Sequence, residues 1–370
     1  MAYNKKIRVG ITQGDTNGIG YEVILKALAN PQMIELCTPV IYGSSKILTY
    51  HRKANDLQAF QINNTRSADS LKDTMPNLVD VCDADDIKVD LGQPSKQAGR
   101  AAFLALEAAV SDLKNGKIDV LVTAPINKDN IQSDEFAFPG HTEYLEASLG
   151  DGESKALMIL CNEQVRVALV TTHKAIAQVP QEITETNVLE KLRAFSDSLK
   201  RDFGIVRPRI AVLALNPHAG ENGMLGKEEQ TAIKPAIDRA NDEDHMLCFG
   251  PYAADGFFGN AQYRHFDGVL AMYHDQGLAP FKTLAMNDGV NFTAGLPYVR
   301  TSPDHGTGYD IVGKGVADEN SMRQAIYAAI DIFRCRQRND EMYRNPLRRQ
   351  YFDRGKDNVV LDLTKVEDED

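Results

Sequence analysis

Short apolar runs that end in a polar residue punctuate this chain, and three of them lead to histidine: His173 in "RVALVTTHKA", His218 in "RIAVLALNPHAGE" and His274 in "GVLAMYHDQG". Each run is rich in Val, Leu, Ile and Ala, the composition of parallel strands buried on both faces, so the residue that follows should emerge at the carboxyl edge of a sheet. Open α/β sheets place their ligands at that edge. Imidazole is the commonest protein ligand for a divalent metal, and three protein ligands leave positions open for substrate oxygens. A lone strand-end histidine is ordinarily a hydrogen-bonded edge residue, whereas three in one topological position leave ligation and edge roles evenly balanced. No HExxH or CxxC motif decides between them.

The same runs alternate with helical patterns along the chain. "KIRVGIT" reads as a strand, "QGDTNGIG" as a glycine-rich turn and "YEVILKALANPQ" as a helix, followed by a strand at "PVIYG" and a helix through "SSKILTYHRKAN". Residues 59–93 read as short strands and loops. "SKQAGRAAFLALEAAVSDLKNGK" is helical, "IDVLVTAPI", "ALMILCN", "VRVALVTTH", "RIAVLALNP", "MLCFGPY" and "DGVLAMY" are strands, and "SMRQAIYAAIDIFRCRQRNDEMY" is a closing helix. This pattern predicts a mainly parallel α/β architecture. A length of 370 residues suits two lobes or one large unit. The tail "KVEDED" reads as a solvated end.

A formal net charge of −11 argues against a nucleic-acid partner, which needs clustered Lys and Arg. Five scattered cysteines without paired spacing read as free thiols in a reducing compartment. No apolar run is long enough to span a bilayer, and "MAYNKKIRVGIT" lacks the apolar core of a secretory signal, so the expected location is the cytoplasm and no membrane partner is expected.

Outside the histidines, three stretches carry chemistry. Gly14, Gly18 and Gly20 follow the first strand, but the full GxGxxG pattern is absent and a tight strand-to-helix turn explains them equally well. In "FPGHTEYLEASLG" His141 and Thr142 open a helix, whose N-terminus is a ready phosphate or carboxylate site; Thr142 as a plain helix cap is the alternative. Past His274, the glycine-punctuated stretch contains Asp275, Lys282, Asn291 and Arg300. The two cations suit carboxylate or phosphate, and the amide offers donor and acceptor.

With these residues assembled, the chain resembles the 4-hydroxythreonine-4-phosphate dehydrogenase family of pyridoxal phosphate biosynthesis. The matching segments include "VTAPINK", "GHTEYL", "VALVTTH", "LNPHAGENG", "GPYAADGFF", "AMYHDQGLAPFK" and "GVNFTAGLPYVRTSPDHGTGYDI", from the first strand to about residue 330. The resemblance implies an α/β fold like that of isocitrate and isopropylmalate dehydrogenases: residues 1–370 as a single unit of two α/β lobes with a cleft between them, one lobe discontinuous. It implies a homodimer with shared active sites. Metal ligands fall on His173, His218 and His274, one of them supplied by the partner subunit, for Zn, Mg or Co. Substrate contacts fall on His141, Thr142, Lys282, Asn291 and Arg300. Asp304, His305, Gly306 and Thr307 match a cofactor loop for NAD or NADP. The first turn departs from the family's usual "TPGEPAGIG", and Gly308 and Tyr309 stand where small and apolar residues are commoner.

The implied reaction oxidises the C3 hydroxyl of 4-phosphooxy-L-threonine with NAD(P)+, and the resulting β-keto acid loses CO2 to give 3-amino-2-oxopropyl phosphate. Lys282, Asp275 and Asp255 are the candidates for proton transfer. The alternatives are a paralogue acting on another phosphorylated hydroxy acid, such as erythronate or threonate 4-phosphate, and a non-catalytic metal- or phosphate-binding module.

Overall fold

The structure is a computed structural model that describes residues 6–82, 87–150, 152 and 155–344. The acidic tail expected to be solvated lies outside these residues. The apolar runs form β1 (Ile7–Thr12), β2 (Cys37–Gly43), β3 (Asn63–Thr65), β4 (Asn77–Asp80), β5 (Val120–Thr123), β6 (Leu157–Cys161), β7 (Arg166–Leu169), β8 (Arg209–Leu213), β9 (Leu247–Tyr252), β10 (Gly268–Ala271), β11 (Val290–Ala294) and β12 (Arg300–Pro303). They join in one twelve-stranded sheet, in the order β3-β4-β2-β1-β5-β12-β11-β6-β7-β10-β8-β9.

Most pairings are parallel, as the alternation predicts, but β11 runs antiparallel to β12 and to β6, and β6 runs antiparallel to β7. These three reversals mean that the two flanks of the sheet, each internally parallel, point in opposite directions. They also return the chain to its first half: β12 pairs parallel with β5, and the helix Asn320–Tyr343 packs on β12, β5 and β1. β11 and β12 are not evident in the sequence, because Asn291, Thr293, Arg300 and Ser302 interrupt their apolar pattern. The stretch judged too rich in Gly and Pro for a long helix does hold the eleven-residue helix His274–Leu284, with Pro280 inside it.

Alternate strand residues feed opposite faces, and the two faces are packed differently. On one, Val9, Ile11, Val120, Val122, Ile159, Ala168, Ile210 and Leu270 join a single continuous core with the helices Gly20–Leu28, Glu185–Arg201, Lys234–Asp242 and Asn320–Tyr343. On the other there are two separate cores. Val40, Tyr42, Val79 and Leu121 pack under the helices Lys96–Lys114 and His141–Leu149. Leu160, Val167, Leu169, Ala211 and Val269 pack under Leu278 and Phe281 of the helix His274–Leu284. Apolar burial is roughly proportional to area removed from water, so each core holds its own helices down. The gap between them lies over the central strands, where the polar residues of β11 and β12 face out.

The glycine-rich turn is a strand-to-helix junction built on buried polar groups. Gln13, Asp15, Thr16 and Asn17 are all buried, and Gly18 touches the later loop so closely that a Cβ there would lie 2.6 Å from the Thr307 carbonyl oxygen. Beneath the turn, His51 is fully buried, its Nε2 bonded to the Thr16 carbonyl oxygen at 2.8 Å and its Nδ1 without a partner. Burial pushes its pKa below the ordinary histidine value. The folded chain therefore resists a proton that the unfolded chain accepts near pH 6.5, so His51 costs stability as pH falls below about 6.5 and is neutral in effect above it. The fall in Tm from about pH 7 to about pH 5 should be smaller for His51→Gln than for the natural protein. Equal falls would show that His51 does not carry this acid sensitivity.

Candidate active site

The gap in the split face is a cavity of about 280 Å³. Its walls bring together nine of the residues expected from sequence: His141, Thr142, His173, Lys282, Asn291, Arg300, Asp304, His305 and Gly306. Those residues span more than 160 positions of chain; β11, β12 and the loop after it, the loop after β7, and the helices His141–Leu149 and His274–Leu284 converge to assemble them. That helix starts at His141 with Gly140 as its N-cap and no side-chain cap, so Thr142 is not the cap and the first N–H groups are left for a ligand.

Arg300 sits at the floor, 3% exposed. Its Nε and Nη2 donate to Thr123 Oγ1 at 3.1 and 2.6 Å, and its Nη1 donates to Thr293 Oγ1 at 3.1 Å. These partners are hydroxyls, not carboxylates, and burial pushes its pKa down to about 10. A guanidinium carries five donors, so two remain for an incoming anion. Lys128 also lines the cavity, and its charge helps to lower the pKa of Glu143 on the same wall, after His173. Burial, then Arg300 and Lys128, hold the His141 pKa well below the ordinary value, which keeps the ring neutral.

Three buried polar atoms around the cavity have no hydrogen-bond partner: His141 Nε2, Asn291 Oδ1 and His305 Nε2. Buried polar groups are nearly always satisfied, so three orphans around one cavity mark the place of a polar ligand. On the same wall Lys282 Nζ donates to Asp304 Oδ1 at 3.0 Å and to the Asp304 carbonyl oxygen at 3.3 Å. Burial raises the Asp304 pKa while Lys282 opposes the rise.

The three histidines divide. β7, β10 and β8 are adjacent and parallel, so His173, His274 and His218 leave the sheet at one edge, as the sequence predicts. His173 and His274 have ring centres 6.5 Å apart, and each turns Nδ1 to a carboxylate: His173 to Glu143 at 3.5 Å and His274 to Asp275 at 2.7 Å. A carboxylate on Nδ1 leaves Nε2 for a metal and fixes the ring, the usual arrangement around ligating histidines. Two imidazoles on one tetrahedral ion through bonds of ~2.0–2.1 Å have ring centres about 5 Å apart, so at 6.5 Å these two rings must draw together to share an ion.

His218 is elsewhere. With Asp255 it lines a second, larger cavity of about 550 Å³ together with Asn216, Phe258, Tyr273 and Gln276. Among the described residues of one chain, no three His, Cys, Asp or Glu side chains are placed to hold a metal ion. Around His218 the backbone is left-handed over six consecutive residues, His218 to Gly223. Outside glycine this conformation costs ~1–2 kcal/mol per residue. Strain of that kind persists where function retains it.

Of the four residues matched to a cofactor loop, Asp304, His305 and Gly306 line the smaller cavity, whereas Thr307 sits on the glycine-rich turn, its carbonyl accepting the Ile19 N–H at 2.9 Å. Tyr309, one of the departures from the family pattern, fastens the loop by donating to Asp15 Oδ2 at 2.8 Å. Asp275 is exposed and engaged with His274, and Asp255 faces the other cavity, which leaves Lys282 as the proton-transfer candidate inside the smaller one. Sequence reasoning passed over Lys128, Thr123 and Ser302 as cavity residues, and Glu143 as the partner of His173. Lys128 and Thr123 stand in "TAPINKDN", directly after a predicted strand, where the position was the available signal.

A mixed α/β sheet with a cation-floored polar cavity at a break in one packed face defines a protein built to hold a small anionic molecule. The family model described as "Pyridoxal phosphate biosynthetic protein PdxA" matches residues 35–329, and the chain belongs to that family. A 4-hydroxythreonine-4-phosphate dehydrogenase of Bacteroides thetaiotaomicron is 58% identical over 98% of this chain and 99% of its own length. A protein of Oceanobacillus iheyensis, provisionally named D-threonate 4-phosphate dehydrogenase, is 41% identical over 89% of this chain and 98% of its own. The crystal structure of a 4-hydroxythreonine-4-phosphate dehydrogenase from Burkholderia phymatum superposes with a TM-score of 0.71 at 38% identity, covering 89% of this chain and 99% of that one.

Proposed function

We propose that the protein is a dehydrogenase of vitamin B6 biosynthesis that oxidises 4-phosphooxy-L-threonine at C3 with NAD(P)+ and releases CO2 to give 3-amino-2-oxopropyl phosphate. The observation that carries this reading is Arg300, a buried guanidinium partnered only by hydroxyls, in a cavity ringed by unpartnered His141, Asn291 and His305 atoms. Such a cation wants an anion of fixed geometry.

Arg300, Lys128, Asn291 and the open N-terminus of the helix His141–Leu149, with Thr142, hold the anionic groups of the substrate. Neutral His141 adds a hydrogen bond without a charge. Lys282, oriented by Asp304 and acting as the neutral amine once it has released a proton to solvent, would take the hydroxyl proton as the hydride passes from C3 to NAD(P)+, and would return that proton to carbon after CO2 departs. Nicotinamide supplies the hydride acceptor, with Asp304, His305, Gly306 and Thr307 on its loop. His173, His274 and a His218 would hold a divalent ion, which would supply stabilisation of developing negative charge.

Because no three His, Cys, Asp or Glu side chains among the described residues of one chain group to hold an ion, we read the site as shared in a homodimer, with His218 crossing from the partner subunit. The two half-cores then correspond to two lobes, the first discontinuous through β12 and the helix Asn320–Tyr343, with the cavity as the cleft. The five cysteines are free thiols, four of them buried, and no helix among the described residues is long and apolar enough to cross a membrane; cytoplasmic action fits both.

The Oceanobacillus relative keeps one rival in view, a phosphorylated sugar acid in place of the amino acid. Nicotinamide reduction measured on 4-phosphooxy-L-threonine, D-threonate 4-phosphate, D-erythronate 4-phosphate and unphosphorylated 4-hydroxythreonine separates them. The amino acid phosphate should have the highest kcat/KM and the unphosphorylated compound the lowest. A sugar acid phosphate at the top would transfer the chain to the rival activity.

A further inference from the structure

The backbone from His218 to Gly223 is a left-handed turn, with φ of 51°, 52°, 77°, 45°, 55° and 93° in order, and His218, Ala219, Glu221 and Asn222 all adopt it with side chains. Residues other than glycine visit this region singly, so a run of them survives only where surrounding groups dictate it. One side chain does so here. Glu229 is buried. Its Oε1 accepts the Leu215 and Asn216 backbone N–H groups at 2.9 and 2.7 Å, just ahead of the turn, and its Oε2 accepts Asn216 Nδ2 at 3.0 Å. The same Oε2 lies where a Cβ on Gly220 would come within 2.6 Å, so the carboxylate also presses on the middle of the turn, which only glycine permits. Glu229 opens a π-helical turn, Glu229–Ile233, a distortion that recurs near functional sites.

We propose that Glu229 is a positioning residue: it clamps both the approach and the centre of the left-handed turn and thereby holds exposed His218 in the one orientation from which it binds a divalent cation. The proposal rests on the reading of His218 as a metal ligand. Groups that orient a ligating histidine typically govern metal affinity by about 10–100-fold when removed.

The test measures the Zn2+ dissociation constant of the purified native protein against a chromophoric chelator for Glu229→Ala, Glu229→Gln, His218→Ala and the double variant Glu229→Ala/His218→Ala. Glu229→Ala should weaken binding at least about tenfold in the natural background and not at all in the His218→Ala background, since it acts only through His218. Glu229→Gln keeps an acceptor for the two backbone N–H groups but sets an amide against Asn216, so it should weaken binding only about two- to fivefold, less than the alanine variant, and it carries the test if the alanine variant does not fold. Glu221→Gly serves as a control, because glycine accepts φ 45° without strain; its Tm should rise while Zn2+ affinity stays constant. Unchanged affinity in both Glu229 variants where His218→Ala abolishes it, or equal loss in both backgrounds, overturns the positioning role. Unchanged affinity in His218→Ala overturns the metal-site reading first, and this proposal with it.

Discussion

His218→Ala should lower kcat/KM by at least about a thousandfold, the equivalent of roughly 4 kcal/mol of transition-state stabilisation, and leave Tm within a few degrees of the natural protein. The size follows from the proposed role of His218 as one of three ligands of an ion that would carry the developing charge. The intact fold follows from the position of the residue, which is exposed and packs into no core cluster. The sharing of the site gives this variant a second signature. With His173 and His274 from one chain and His218 from its partner, as proposed, a dimer of one His218→Ala subunit and one His274→Ala subunit keeps one site with all three histidines. Mixed and re-associated subunits should regain activity that neither variant has alone. Heterodimers that form and remain inactive would place His218 and His274 of each site in the same chain and overturn this division of the ligands.

Arg300→Met should lower kcat/KM by about a hundredfold or more and raise the Tm of the ligand-free protein. The two signs have one cause. The chain is acidic, with net charge −11, so long-range attraction does not gather an anionic substrate and local cations must. Arg300 is placed to do this at a cost: the fall of its pKa from the ordinary 12.5 to about 10 corresponds to roughly 3 kcal/mol against the buried charge. Its hydroxyl partners do not repay that; a bound anion does. An apolar side chain of similar reach removes the penalty along with the function, the usual trade between a binding site and stability. Arg300→Lys retains a charge but loses the planar fork, and at least a tenfold loss of kcat/KM, about 1.4 kcal/mol, should remain, with nicotinamide affinity little changed. A defect confined to nicotinamide binding would move Arg300 out of the substrate site.

Much of this was legible in the chain, for reasons that differ by region. Strands buried on both faces, such as β1, β5 and β10, announce themselves as continuous Val, Ile and Leu runs, and the helix Lys96–Lys114 shows its apolar stripe and its cap, the Ser95 hydroxyl accepting the Ala98 N–H at 3.1 Å. β11 and β12 were hidden because they carry the site: Asn291 and Arg300 stand where an apolar residue would have marked a strand. With them went the three antiparallel pairings that turn a mainly parallel expectation into a mixed sheet. The residues around the cavity were found from their motifs, whereas Lys128 and Glu143 were not, since a lone loop lysine and a first-turn glutamate look like ordinary surface groups until Arg300 and His173 are brought beside them. That His218 and His173 line different cavities was invisible to sequence because strand order and the left-handed turn, not spacing, produce it.

The central claim, oxidation of a phosphorylated amino acid followed by loss of its carboxylate, is tested most directly by following reduced nicotinamide and CO2 together as the native protein consumes 4-phosphooxy-L-threonine. One reduced nicotinamide and one CO2 should appear for each substrate molecule consumed. No reduced nicotinamide from this substrate under conditions where a phosphorylated sugar acid is oxidised, or reduction without CO2, would contradict it.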